Sequence, residues 1–330
     1  MHAEPRQMEL VPRRRLELFS GRSHPDLAQA IADRLGLELG EANLRDFPGG
    51  EMHCRFDESI RGSDVFIVQT HCPPVNQSIM EQLIMIDAAK RASARAIIAV
   101  CPYYGYSRQD RKSAGREPIT AKLVADLMSA AGATRVVSVD LHSGQIQGFF
   151  DFPVDHLTAA PVLLDYLRAQ GTDGMVVVSP DAGRVKVAER FSQQLGTDLA
   201  FIHKRRPPGE TDTVEALEVI GDVEGRCCVV IDDMIDTAGT ICAAAERLRE
   251  SGATDVWAMA THPVLSDPAL DRLKASVISR VIVTDTLPLP EGRRIDKLEV
   301  LSVAGIIADA IDAVFEDTSV SEIFGGQNLS

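Results

Sequence analysis

Short apolar runs alternate with longer amphipathic ones along the whole chain. LELFS, DVFIVQT, AIIAV, RVVSVDL, MVVVSP, LAFIHK, CCVVIDD, DVWAMATH and RVIVTDT are brief and rich in β-branched residues, which predicts strands. HPDLAQAIADRLG, SIMEQLIMIDAAKRA, ITAKLVADLMSAAG, RVKVAERFSQQLG and TICAAAERLRESG carry apolar residues at a spacing near 3.6, which predicts helices, several of them ending at Gly. Strands that are apolar on both faces and separated by helices imply parallel sheet in an α/β fold.

A repeat lies within this alternation. ITAKLVADLMSAAGATRVVSVDLH (119–142) can be laid over TICAAAERLRESGATDVWAMATH (240–262), so that Thr120 meets Thr240, Gly132 meets Gly252 and His142 meets His262. The shared GAT and offset predict a duplication and two domains of one fold, with the boundary near residue 155 to 160. On that overlay the second half turns tightly from strand VVIDD into its helix. The first half has the long basic segment PYYGYSRQDRKSAGREP in the same place, a functional or mobile arm.

Composition narrows the partners. The 330 residues are 45% hydrophobic, enough for two cores, and the formal net charge is −14. That charge argues against nucleic-acid binding over the whole surface, though a local basic cluster can still serve a small anion. Cys54, Cys72, Cys101, Cys227, Cys228 and Cys242 form no CxxC pair and read as reduced, cytoplasmic packing residues. No apolar run is long enough to span a membrane, and MHAEPRQMELVPRRR lacks the apolar core of a signal peptide, so residues 1–15 are read as a disordered extension.

The chemistry concentrates in VVIDDMIDTAGTI (229–241). Ligands of open parallel sheets sit beyond the carboxyl ends of strands. Small residues there let backbone amides converge on an anion, and the following helix adds its dipole. The carboxylates suit sugar hydroxyls beside that anion. A sugar phosphate satisfies both, with Asp232, Asp233 or Asp236 on the ribose diol and the TAGT amides on its 5′-phosphate. The bland alternative is an acidic turn before a well-capped helix.

This stretch resembles the phosphoribosyl-diphosphate (PRPP) motif of type I phosphoribosyltransferases, which leaves salvage transferases and PRPP synthases both open. FPGGEMHCRF, YYGYSRQDRK, GREPITAKLVADL, VDLHSGQIQGFFDFPVDHL, VVSPDAG and FIHKRR are similar to ribose-phosphate pyrophosphokinases, from residue 16 to about 324. The resemblance implies two tandem type I phosphoribosyltransferase-like domains, 16–157 and 158–330. It implies transfer of the β,γ-diphosphoryl unit of Mg-ATP to the anomeric hydroxyl of ribose 5-phosphate, giving PRPP and AMP. A salvage transferase should have one such domain and no RQDRK arm; a non-catalytic regulatory subunit should lose the HKRR cations or His142.

By the same resemblance, Lys204 and Arg206 are catalytic. Arg206, Asp232, Asp236, Thr237, Ala238, Gly239 and Thr240 hold ribose 5-phosphate. Gly49, Gly50 and Glu51 receive the ATP base, and Arg108 and Gln109 make the other ATP contact. His142 and Asp181 match the magnesium positions, with Asp140 in support. Ser59, Arg61, Arg116 and the tail SVSEIF (319–324) match parts of a regulatory phosphate site between subunits, implying phosphate activation and a homohexamer. Two departures stand out. Gly49 replaces the Asp or Asn common in the family, and Arg184 replaces a second Gly in the diphosphate loop, where it could bind diphosphate or crowd it. Without the resemblance, His142 reads as a packed strand-end residue, HKRR as a solvated basic turn, and Ser59 with Arg61 as a hairpin turn.

Overall fold

A computed structural model describes residues 14–205, 216–289 and 291–324. In chain order the first half contains β1 (Leu16–Ser20), α1 (Pro25–Leu35), β2 (Ala42–Asp46), β3 (Met52–Phe56), β4 (Asp64–Val68), α2 (Val75–Arg91), β5 (Ala96–Cys101), α3 (Thr120–Ala131), β6 (Arg135–Val139) and β7 (Val154–Leu157). Strands β1-β4-β5-β6-β7 form one parallel sheet, and β2 with β3 make a separate antiparallel hairpin. The second half runs α4 (Ala160–Gln170), β8 (Met175–Ser179), α5 (Val185–Leu195), β9 (Asp198–Arg205), β10 (Ala216–Ile220), β11 (Cys227–Ile235), α6 (Gly239–Glu250), β12 (Asp255–Pro263), α7 (Ala269–Ala275), β13 (Arg280–Thr284), β14 (Leu298–Leu301) and α8 (Ala304–Phe315). Its sheet order is β10-β9-β8-β11-β12-β13-β14, parallel except for β10 against β9.

All nine strands and five helices read from the sequence are present. Several of the elements it did not yield have weak signals. β2 and β3 are only half-buried, β7 and β14 have four residues each, and α8 (AGIIADAIDAVF) is apolar on nearly every side. Among the described residues, no helix is long and apolar enough to cross a membrane.

The duplication is real, but its register differs from the predicted one. Strands β1-β4-β5-β6-β7 match β8-β11-β12-β13-β14 in both chain and sheet order, so RVVSVDL of β6 corresponds to RVIVTDT of β13. The backbone bonds agree. Asp140 N–H donates to Leu157 and Asp285 N–H to Leu301, each at 2.9 Å. The Asp140 carboxylate then accepts the Ala159 N–H at 3.0 Å, and Asp285 accepts the Val303 N–H at 2.8 Å. The overlay of His142 on His262 is therefore shifted by one strand–helix unit. Successive units of a parallel fold share the grammar of capping residue, amphipathic helix, Gly turn and buried strand, and the GAT match arose from that grammar. The arm (102–119) joins β5 to α3, and its counterpart is the short 264–268 connection. The acidic loop of the second half corresponds instead to 69–74.

A continuous core joins the halves, including Leu18, Phe66, Val100 and Val139 from the first sheet and Val177, Val229 and Met259 from the second. Helix α4 packs on α5, and its Tyr166 donates to Glu299 of β14 at 2.6 Å, whereas α8 returns to pack on α1 and β7. Arg14 pairs with Asp64 and Asp317, and Arg15 Nη2 donates to the carbonyl oxygens of Ser59 and Arg61 at 3.2 Å. These two residues, grouped by sequence with the N-terminal extension, thus have defined partners. Residues 1–13 lie outside the described part.

Candidate active site

β11 lies between β8 and β12, so its Val229, Val230 and Ile231 are buried. The strand leaves this apolar layer at Asp232, and its carboxyl end opens onto a cavity of about 250 Å³. Residues from both halves line it: Arg108, His142, Asp181, Arg184, Asp232, Asp233, and the run Met234 to Ile241. Ala238 makes the turn into α6 with φ 60°, a left-handed conformation unusual for a residue bearing a Cβ. No side chain caps α6, so the amides of its first turn are free to face an anion. Arg272 fixes the loop from behind, donating to the Thr237 carbonyl oxygen at 2.9 Å.

The three acids have different environments. Asp233 Oδ2 lies 2.6 Å from His142 Nδ1 and 2.6 Å from Arg184 Nη2. Burial disfavours its charge, but the His142 and Arg184 donors outweigh that and hold the carboxyl far below the usual range. Asp232 accepts the Asp233 N–H at 2.8 Å. Burial, reinforced by the charge of Asp233, pushes it up to about 8. Asp236 Oδ2 accepts from Arg108 Nη1 at 2.7 Å, while its Oδ1 is buried without a hydrogen-bond partner. Burial opposes its ionisation too, yet the nearby Ser266 hydroxyl and the Arg108 guanidinium keep the carboxyl low.

Of the predicted residues, Arg108, His142, Asp181, Asp232, Asp236, Thr237, Ala238, Gly239 and Thr240 meet in this one cavity. Asp181 Oδ1 accepts the N–H groups of Gly183 at 2.8 Å and Arg184 at 3.2 Å, which shapes the loop before α5. Asp140 stands behind the site, its carboxylate accepting from Thr261 Oγ1 at 2.6 Å. Gln109 does not line the cavity; it accepts from Thr120 Oγ1 at 2.5 Å and pins the arm to α3. Gly49, Gly50 and Glu51 form the exposed turn of the β2–β3 hairpin, also away from the cavity lining. Ser59 and Arg61 lie between β3 and β4, and Arg116 is exposed on the arm. Lys204 belongs to β9, with its side chain outside the described part, as is Arg206 altogether.

Sequence reasoning named Asp233 only as one of three acids for the ribose diol, without its partners, and left Arg184 between binding diphosphate and crowding it. The Asp232–Asp233 doublet carried the first signal; the second needed a contact between residues 49 positions apart, as Arg184 reaches Asp233. Nothing local pointed to Arg272.

The comparisons agree with this architecture. The profile of the N-terminal domain of ribose phosphate pyrophosphokinase matches residues 16–132, and that of the phosphoribosyl synthetase-associated domain matches 207–325. The ribose-phosphate pyrophosphokinase of Streptomyces avermitilis is 55% identical over 315 residues, covering 95% of this chain and 97% of the relative. That of Bifidobacterium longum is 55% identical over 321 residues, 96% and 94% of the two chains. The crystal structure of phosphoribosylpyrophosphate synthetase from Mycobacterium smegmatis matches with a TM-score of 0.88 and 54% identity, over 92% of this chain and all of that one. With two type I phosphoribosyltransferase-like domains meeting at the acidic loop, the chain belongs to the ribose-phosphate pyrophosphokinase family.

Proposed function

We propose that this cavity transfers the β,γ-diphosphoryl group of Mg-ATP to the anomeric hydroxyl of ribose 5-phosphate, giving PRPP and AMP. The observation that carries the reading is the convergence of Arg108 and His142 from the first half with Asp181, Asp232 and Asp236–Thr240 from the second. The first-turn amides of α6, with Thr237 and Thr240, take the 5′-phosphate. Asp232 and Asp236 accept from the ribose hydroxyls, fixing the anomeric oxygen. Arg108 leaves Asp236 for the ATP phosphates, and its fork suits them. Lys204 and Arg206, the pair the family resemblance assigns to catalysis, neutralise charge developing at the β-phosphorus.

The donor set fits magnesium. Asp236 Oδ1 is a buried oxygen with no partner, and among the described residues no three His, Cys, Asp or Glu side chains form a cage of their own. That suits an ion which keeps waters and phosphate oxygens in its shell. His142, Asp181 and the acidic loop would hold it, His142 through water. When bound, the ion screens the phosphate charge against the attacking oxygen.

The hairpin turn at Gly49, Gly50 and Glu51 does not line the cavity, so its contact with the base requires closure or a neighbouring copy. The latter accords with a homohexamer in which Ser59, Arg61 and Arg116 hold an activating phosphate between subunits. We take residues 16–157 and 158–330 as the two domains, with α8 of the second covering the first. The six unpaired cysteines accord with a cytoplasmic protein; burial lifts Cys101 to about 12, which keeps it unreactive.

The test mixes purified protein with Mg-ATP and ribose 5-phosphate and follows AMP and PRPP. Both products should appear only when both substrates are present. AMP formed at the same rate without the pentose phosphate overturns the reading.

A further inference from the structure

A second cavity, about 100 Å³, lies behind the acidic loop between α4 and α5. His142, Arg184, Asp232 and Asp233 line both cavities, so they are the wall between them. Arg184 fills this wall. Its Nη2 is 2.6 Å from Asp233 Oδ2 and 3.3 Å from the His142 carbonyl oxygen, and its Nε is 3.6 Å from Asp232 Oδ1. Asp233 Oδ2 thus accepts from Arg184 and from His142 Nδ1 at once. Two donors leave that oxygen little room for a further ligand.

A guanidinium is permanently charged and weakly hydrated, so it can serve as the site's own cation. We propose that Arg184 is a resident counter-cation, which a divalent ion must displace to reach the Asp232 and Asp233 oxygens. The side chain starts at the residue just before α5 and follows Gly183, so it can swing without disturbing a helix. It is directed outwards when it leaves. Inwards, the rear cavity already holds Arg190, whose Nη1 is buried without a partner, and a second guanidinium there would meet like charge. Outwards lie the phosphates that accompany the metal. Arg184 therefore exchanges carboxylate for phosphate as the substrate complex forms. Of the two roles the sequence left open, diphosphate binding follows from this exchange, and crowding describes only Arg184 while it is paired with the acids.

The proposal rests on the Mg-ATP reading for the identity of the competing ion, but its test needs no turnover. Mn²⁺ is titrated into substrate-free protein and free Mn²⁺ is followed by electron paramagnetic resonance, for wild type, Arg184→Ala and Arg184→Lys. The Ala variant should bind Mn²⁺ at least about tenfold more tightly than wild type, and the Lys variant, which keeps the charge, should stay near wild type. Equal or weaker binding by the Ala variant overturns the proposal, as does a Lys variant that binds as tightly as Ala. Thermal melts check the fold of each variant, and Arg184→Gln replaces Ala if Ala does not fold. The AMP assay on wild type is independent, so failure of this inference and failure of the functional reading give different results.

Discussion

Arg108 Nη1 donates to Asp236 Oδ2 at 2.7 Å, joining positions 128 residues apart. The arm of the first half is thereby latched to the acidic loop of the second. Arg108 is 51% exposed, so in the folded chain the pair contributes at most about 1 kcal/mol. On the proposed reading, its larger role comes when ATP offers phosphate oxygens in place of the carboxylate.

Arg108→Ala should therefore leave the melting temperature nearly unchanged while raising KM for ATP by about ten- to a hundredfold, the loss expected for a charged hydrogen bond of roughly 1.5–3 kcal/mol. KM for ribose 5-phosphate should change far less. Initial-rate kinetics with each substrate varied in turn, beside a thermal melt, check this. An unchanged KM for ATP would remove Arg108 from the nucleotide site.

Ala238 carries a Cβ at φ 60° and is almost fully buried. A left-handed conformation costs a non-glycine residue about 1–2 kcal/mol. Ala238→Gly should relieve that strain and stabilise the protein by about 0.5–1 kcal/mol. Ala238→Val should destabilise it by more than about 2 kcal/mol, because a β-branched side chain resists positive φ and has no room. Weaker ribose 5-phosphate binding should accompany the Val variant as the loop amides turn away. Urea unfolding and isothermal titration calorimetry read both effects.

What the sequence revealed was local. The run Ile231, Asp232, Asp233 followed by Thr237–Thr240 is a strand end, an acid pair and an amide loop within ten consecutive positions, so a proposal for its chemistry needed no knowledge of the fold. His142 against Asp233 joins positions 91 apart, and no periodicity reports such a contact. The repeat failed for a related reason. Its true register rests on RVVSVDL against RVIVTDT and on the strand-end pair Asp140 and Asp285, a seven-residue similarity shorter than the misleading helix–GAT–strand match. The β2–β3 hairpin was the more recoverable omission, since its PGG turn separates two short segments with several apolar positions.

The acid pair exacts a pH-dependent stability cost. Asp232 rises to about 8, first through burial and then through the charge of Asp233. Between an ordinary aspartate value and about 8, the folded chain keeps a proton there that the unfolded chain has lost. Stability from this group therefore falls as pH rises through that window and levels off above it. Asp232→Asn removes the titration, so the variant should gain stability over wild type increasingly from pH 4.5 to 8.5, while losing most of its activity. Melting temperatures of both proteins at four pH values check the trend; a gap that narrows with rising pH would contradict it.

The root of the arm depends on His71. Its Nδ1 accepts the Gly105 N–H at 2.9 Å and its Nε2–H faces Gln82 Oε1 at 2.8 Å, so the neutral imidazole is the form that fits. Burial depresses this histidine to about 4. The unfolded chain takes up a proton near 6.5 and the folded one does not, so the stability this group supports is present above 6.5 and is lost as pH falls towards 4. The difference corresponds to about 3 kcal/mol. Desolvation also lowers His24, His156 and His262, so acid sensitivity of the wild type alone would not isolate His71. His71→Asn keeps an acceptor and a donor without titrating, and its stability relative to wild type should improve as pH falls from 7.5 to 4.5. Gly105→Ala tests the same contact sterically, since an added Cβ would sit 2.9 Å from His71 Cβ. That variant should raise KM for ATP at pH 7.5 by disturbing the arm that carries Arg108, and an unaltered KM would mean that the His71–Gly105 contact does not position it.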